Sequence, residues 1–249
     1  MKYLITLICL AIATIGWGQD QDNFDKATTL YQKGDYTQAA AVYSSILKSG
    51  KESSALYYNL GNTYYKLNNV PESIYYYEKA LQLDPENADA KNNLIFANQM
   101  KVDAITPLPK TWVRQLSDGI VGLFSAHTWA VLSIIGVFAF VLSFLLYYFV
   151  ERTALKRTFF SLMLVFLFFA IGSYTLAHFC HKQVSQTQYA ILFDKTVRVF
   201  SDANAYSSEV MQLHEGTKVE IIEDAKDWVK IRLVNGKTGW TKVHSLRKL

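Results

Sequence analysis

At 249 residues, with 51% hydrophobic side chains, the chain can hold one large domain or two small ones. Its net charge of +4 is modest and spread along the length, which excludes a nucleic-acid footprint. The two cysteines, Cys9 and Cys180, each fall in or at the end of an apolar run, so a disulfide framework is excluded as well.

Met1–Gly18 carries one basic residue, Lys2, an apolar stretch Tyr3–Ile15, and small residues Gly16 and Gly18 around Trp17. This is the pattern of a cleavable secretory signal over residues 1–18. Left uncleaved, the stretch becomes an anchor, and the following segment is exported either way. Cys9 lies inside the apolar run, away from the cleavage point, so a lipid-modified terminus has no support.

Over residues 20–100 the chain repeats itself. Leu30–Leu47 set under Tyr64–Leu81 aligns Tyr31 with Tyr65, Tyr43 with Tyr77 and Leu47 with Leu81, an offset of 34 residues. In the second copy Tyr57, Leu60, Gly61 and Tyr64 fall at i, i+3, i+4 and i+7, one face of a helix. Gly61 lacks a Cβ and lets a partner helix approach, at a cost of about 1 kcal/mol in helix propensity. Asp84-Pro85 ends the second helix, because proline disfavours helical geometry in the residue before it. With Tyr77, Ala80 and Pro85, this copy resembles the tetratricopeptide (TPR) family. The first copy is degenerate, with Lys26-Ala27 where the second has Leu60-Gly61. Ala88–Met100 supplies a further first helix, giving five helices of which the last is a cap. The resemblance implies a concave peptide-binding surface lined by Tyr31, Tyr58, Asn62, Tyr65, Asn92 and Phe96. Tyr75-Tyr76-Tyr77 cannot all be core, since consecutive helical residues point 100° apart, so at least one is expected to be exposed.

Residues 101–126 form a linker. Pro107-Leu108-Pro109 interrupts any helix, and Thr111–Phe124 then places Trp112, Val113, Leu116, Ile120, Val121, Leu123 and Phe124 at near-helical spacing. This predicts an amphipathic helix at a membrane–water boundary, with a short third partner for the following spans as the alternative. Ser125 offers a cap for the next helix.

Trp129–Val150 and Phe159–Phe179 contain no Asp, Glu, Lys, Arg or Pro. Each has about the 20 residues a helix needs to cross a bilayer, which predicts transmembrane helices over residues 127–150 and 159–180. The connecting loop, residues 151–158, holds Arg152, Lys156 and Arg157 against Glu151, marking it cytoplasmic by the positive-inside bias. Both flanking regions then lie together on the outer side. Ser133, Gly136, Ala139 and Ser143 on the first span, and Ala170, Ser173 and Ala177 on the second, are expected to face each other. His178, Cys180 and His181 supply three possible zinc ligands but no neighbouring carboxylate; an interfacial helix end is the plainer account, and no metal or cofactor is expected.

Beyond Lys182 the pattern changes to short alternating runs: Ala190–Phe193, Thr196–Phe200, Val219–Ile222, Trp228–Leu233 and Thr238–Trp240. Asn235-Gly236 signals a two-residue hairpin. Glu215–Ile222, Asp227–Ile231 and Asn235–Trp240 together resemble the bacterial SH3-like (SH3b) family, which implies a small all-β barrel over residues 183–249. Trp228 and Trp240 are its candidate binding residues and are expected to pack in the barrel, with exposure of one edge left open. His214 and His244 read as surface residues without partners. Where many members carry an Asn-Val-Arg-Ser-Gly-Pro-like turn, this chain reads Thr196-Val-Arg-Val-Phe-Ser-Asp202, so ligand contacts from that turn are not carried over.

The fold class is thus multidomain: an all-α tetratricopeptide array, a two-helix transmembrane hairpin and a small all-β SH3-like barrel. The order of these parts resembles BatE, the tetratricopeptide family among the Bat aerotolerance-operon proteins. That resemblance implies a non-enzymatic scaffold in the bacterial inner membrane with both soluble domains periplasmic. Its implied partners are other Bat membrane proteins with von Willebrand-type domains and, indirectly, a MoxR-type ATPase. The alternative is a peptidoglycan-binding tether through the SH3b domain. No acid, base or nucleophile is arranged for catalysis, so no enzymatic activity is expected.

Overall fold

The computed structural model describes residues 21–109 and 111–249; the expected signal segment lies outside them. The chain divides into two compact units, one joining the residues up to Pro107 with Gln188–Leu249, the other comprising Leu108–Thr187.

The first unit begins with five helices: α1 (residues 21–32), α2 (Tyr36–Lys48), α3 (Ser54–Lys66), α4 (Val70–Leu83) and α5 (Ala88–Gln99). Local chemistry sets their starts. The side chains of Asp35, Ser53, Asn69 and Asn87 each accept a hydrogen bond from the backbone N–H three residues on, capping α2 to α5. The repeat residues interlock as the period requires. Ala27, Ala39, Tyr43, Leu56 and Leu60 form one buried cluster, and a Cβ added to Gly61 would lie 2.6 Å from Tyr77 Cδ1. The ring of Tyr77 therefore fills the space that glycine leaves, and Ser73 Oγ donates to the Gly61 carbonyl at 3.0 Å.

The β part contains seven strands: β1 (Gln188–Leu192), β2 (Thr196–Phe200), β3 (Glu209–His214), β4 (Lys218–Ala225), β5 (Trp228–Arg232), β6 (Thr238–Lys242) and β7 (Leu246–Lys248). They form one antiparallel sheet in the order β3-β2-β6-β5-β4-β1-β7. Its inner face converges on a single cluster that includes Leu192, Val197, Val199, Leu213, Val219, Val229 and Ile231, so the sheet curls around its own core. The β5–β6 connection differs from the expected two-residue turn. Leu233 and Lys237 close a three-residue loop, Gly236 alone has positive φ (82°), and Asn235 accepts from the Lys237 N–H. Asparagine's side-chain bond favours the turn without needing left-handed backbone.

Repeats and barrel share a core. Ile191 of β1 is fully buried among Ile74, Tyr77 and Ala97, with Phe193 and Leu249 packed beside it. The β3–β4 turn rests on α4: Gly216 has φ 82°, and an added Cβ would meet Val70 Cγ1 at 3.1 Å and Ile74 Cδ1 at 3.3 Å. Charge pairs frame this contact. Arg247 forms a two-pronged pair with Glu72 at 2.8 and 2.9 Å, and Lys218 Nζ meets Glu78 at 2.7 Å. The linker takes part as well. Asp103 accepts from the His214 N–H (2.7 Å) and Thr217 Oγ1 (2.7 Å) and faces His214 Nδ1 at 2.8 Å, while Ile105 packs on the barrel core. His214 is therefore a partnered residue, contrary to expectation, because its partner lies 111 positions away in sequence.

The same contact corrects the reading of the tyrosine triplet. Tyr77 is core, Tyr76 stacks against Tyr64 and Tyr57, and Tyr75 lies under Arg247 and against Phe193. None is left exposed, since the barrel covers the one that the helix turns outward. Helix α5 is the last of the array, as expected, and its Ala97 belongs to the same buried cluster as Ile191 of β1.

The second unit holds α6 (Trp112–Val121), α7 (Ala126–Phe149) and α8 (Thr153–Gln186). Both α7 and α8 are long and apolar enough to cross a membrane. They pack through the small-residue stripes, with Ser133 Oγ donating to the Ala170 carbonyl at 3.0 Å and Gly136 against Ala170. Their other faces are bare, Phe138 being 70% and Phe168 71% exposed; a buried pair in a soluble core would hide such rings. The turn between them is shorter than expected. Helix α8 starts at Thr153, so Lys156 and Arg157 belong to its first turns; Ala, Leu, Lys and Arg all favour helix and no Gly or Pro stops it. Ser125 caps α7, and the carbonyl of Val121 receives Trp129 Nε1 at 3.4 Å and faces Cys180 Sγ at 3.9 Å.

Candidate functional sites

The first helices of successive repeats, α1, α3 and α5, line an open concavity of about 300 Å³. Tyr31 comes from α1, Tyr58, Asn62, Tyr65 and Lys66 from α3, Tyr77 from α4, and Asn93 and Phe96 from α5. Five of the six residues nominated from sequence meet here. The sixth, Asn92, is exposed on α5 outside the concavity, and its neighbour Asn93 occupies the place instead. One step along a helix turns a side chain by 100°, and Asn93 is the one turned back toward α3. Tyr77, Lys66 and Asn93 were not nominated. The ring of Tyr77 packs over Gly61 and its hydroxyl reaches the floor of the groove.

A small polar network sits in the floor. The Tyr77 hydroxyl donates to Asn62 Oδ1 at 2.6 Å, and Asn93 Nδ2 donates to the same oxygen at 2.8 Å and to the Tyr58 hydroxyl at 3.3 Å. These bonds consume the acceptor of Asn62 and a donor of Asn93. Each side-chain amide carries both a donor and an acceptor, the pairing a peptide main chain requires. Burial, with Tyr36, Tyr58 and Tyr43 nearby, raises the Tyr31 hydroxyl, and burial raises that of Tyr77 against the opposing bond from Asn93. Both stay protonated donors at physiological pH. Lys66 is the single charge in the lining, and Phe96, 54% exposed, forms an apolar lip. Such a surface can hold an extended peptide by main-chain hydrogen bonds and aromatic contact.

On the barrel, Trp228 and Trp240 do not enter the core as expected. Val229 and Ile231 on β5 and Thr241 on β6 are the buried positions, so strand alternation turns both tryptophans to the outer face, where they are half-buried. Lys242 Nζ lies 4.0 Å from the centroid of Trp228 and Lys230 Nζ 5.7 Å from that of Trp240.

Comparison with known proteins agrees with this division of the chain. No curated protein matches it. Residues 24–88 match the tetratricopeptide repeat family, and residues 195–246 match the bacterial SH3 domain family.

Proposed function

We propose that the protein is a non-enzymatic membrane scaffold whose tetratricopeptide groove takes an extended segment of a partner protein. The observation that carries this reading is the convergence of Tyr31, Tyr58, Asn62, Tyr65 and Phe96 on one concavity with a hydrogen-bonded amide and hydroxyl network in its floor. In this reading α7 and α8 anchor the chain in the bacterial inner membrane, the Arg152–Arg157 end of the hairpin is cytoplasmic, and repeats and barrel work in the periplasm. The similarity in domain order to BatE supports Bat membrane proteins with von Willebrand-type domains as the partners, with a MoxR-type ATPase reached through them. Crosslinking in native membranes followed by purification tests this. The wild-type chain brings down a von Willebrand-type membrane protein, and Tyr58→Ala with Asn62→Ala reduces the yield about tenfold or more, the size expected for groove-centre contacts. A chain recovered alone after crosslinking contradicts the proposal. Retention of the chain on purified peptidoglycan through the barrel would favour the tether instead.

A further inference from the structure

Strands β5 and β6 present a second surface that shares no residue with the groove. Their outward positions are Trp228, Lys230 and Arg232 on one strand and Thr238, Trp240 and Lys242 on the other. Register places Trp228 opposite Lys242 and Lys230 opposite Trp240, so rings and ammonium groups alternate as on a checkerboard. Phe200 of β2 pairs with Trp240 and meets Trp228 edge-on at 5.6 Å, extending the apolar part by one strand.

The charges on this face are unequal. Arg232 is engaged by Glu220 at 3.4 Å and Arg198 by Glu209 at 3.9 Å. Among the described residues neither Lys230 nor Lys242 has a carboxylate in ion-pair range, although Glu223 is the cross-strand neighbour of Lys230. Both ammonium groups instead sit against tryptophan rings. What solvent meets is therefore cation over aromatic surface, with each ring already occupied. That arrangement does not suit a neutral sugar, which needs the bare ring. It suits a ligand that brings negative charge and apolar side chains together.

We propose that this face docks an extended acidic segment of a partner protein, its carboxylates on Lys230 and Lys242 and its apolar side chains across Trp228, Trp240 and Phe200. Spacing supports a peptide. Alternate side chains of an extended chain stand about 6.6–6.8 Å apart, the same step that separates alternate positions on β5 and β6. Charge complementarity sets the sign of the ligand.

The test uses the full chain in non-ionic detergent and a fluorescent peptide of Glu-Ser-Val-Ser repeats, which puts Glu and Val in turn on one face of an extended chain, followed by anisotropy. The peptide binds, binding weakens as salt rises, and the Gln-Ser-Val-Ser counterpart binds about tenfold more weakly or worse. Lys230→Gln with Lys242→Gln lowers affinity for the Glu-Ser-Val-Ser peptide by about the same factor, while near-ultraviolet circular dichroism shows the barrel intact. Equal binding of the Gln-Ser-Val-Ser peptide, or unchanged affinity in the double variant, overturns the proposal. So does lysine-dependent binding of phosphatidylglycerol vesicles in place of the peptide, which would make the surface a lipid-headgroup site.

Discussion

Gly61 and Asp103 show how single residues decide the packing of this molecule. Gly61→Ala gains about 1 kcal/mol of helix propensity, but its new Cβ would stand 2.6 Å from the buried Tyr77 ring. Overpacking of that kind costs about 1–3 kcal/mol, and Tyr77 cannot yield without losing its bond to Asn62. Alanine is therefore destabilising on balance, readable as a lower thermal midpoint and a perturbed groove. The degenerate first repeat has Ala27 at the corresponding place, fully buried, so that repeat is spaced for a methyl group. Asp103 makes a different prediction. Burial raises its carboxyl, but bonds from the His214 side chain, Thr217 and the His214 backbone outweigh burial and hold it below the usual range. A depressed folded value means the carboxylate stabilises the folded state above the unfolded value of about 3.9 and that this contribution is lost as pH falls through the folded value. Hydrogen exchange at the β3–β4 turn should accelerate below about pH 4 in the wild type. Asp103→Asn should already exchange faster at pH 7 and lose that part of the pH dependence.

Among the elements, the helices were legible in the sequence and the contact between helices and barrel was not. Capping residues, the 34-residue period and the Gly61–Tyr77 fit are all local or repeat features, so sequence carries them directly. Strands β3 and β7 escaped notice because Glu209–His214 has one fully buried side chain and Leu246–Lys248 is three residues long. The groove was legible except at α5, where the repeat register nominated Asn92 and the turn of the helix presents Asn93. Nothing in the sequence linked Asp103 to His214 or Glu72 to Arg247, since such pairs are decided by which surfaces meet after folding. Two substitutions measure that contact. Ile191→Ala empties a fully buried position between β1 and the helices and should cost about 2–5 kcal/mol. Arg247→Ala should cost less, about 1 kcal/mol, because the pair with Glu72 is partly open to solvent. Denaturation of the two variants in the same detergent should reproduce that order.

For the whole molecule, the compact unit formed by residues before Pro107 and after Gln188 fixes a topological condition. Its two segments are separated in sequence by both apolar helices, so if α7 and α8 cross a membrane, the chain must return to the side it left. A hairpin with a three-residue turn at residues 150–152 meets that condition. In the proposed orientation, positive charge at Arg152, Lys156 and Arg157 keeps the turn on the cytoplasmic side. The most direct test is cysteine labelling in intact cells with a membrane-impermeant maleimide, after Cys9→Ser and Cys180→Ser, using Lys33→Cys in the repeats, Tyr206→Cys in the barrel and Glu151→Cys in the turn. Lys33→Cys and Tyr206→Cys should label without permeabilising the inner membrane and Glu151→Cys only after it. Labelling of Lys33→Cys and Tyr206→Cys from opposite sides, or of Glu151→Cys alone from outside, would contradict the account.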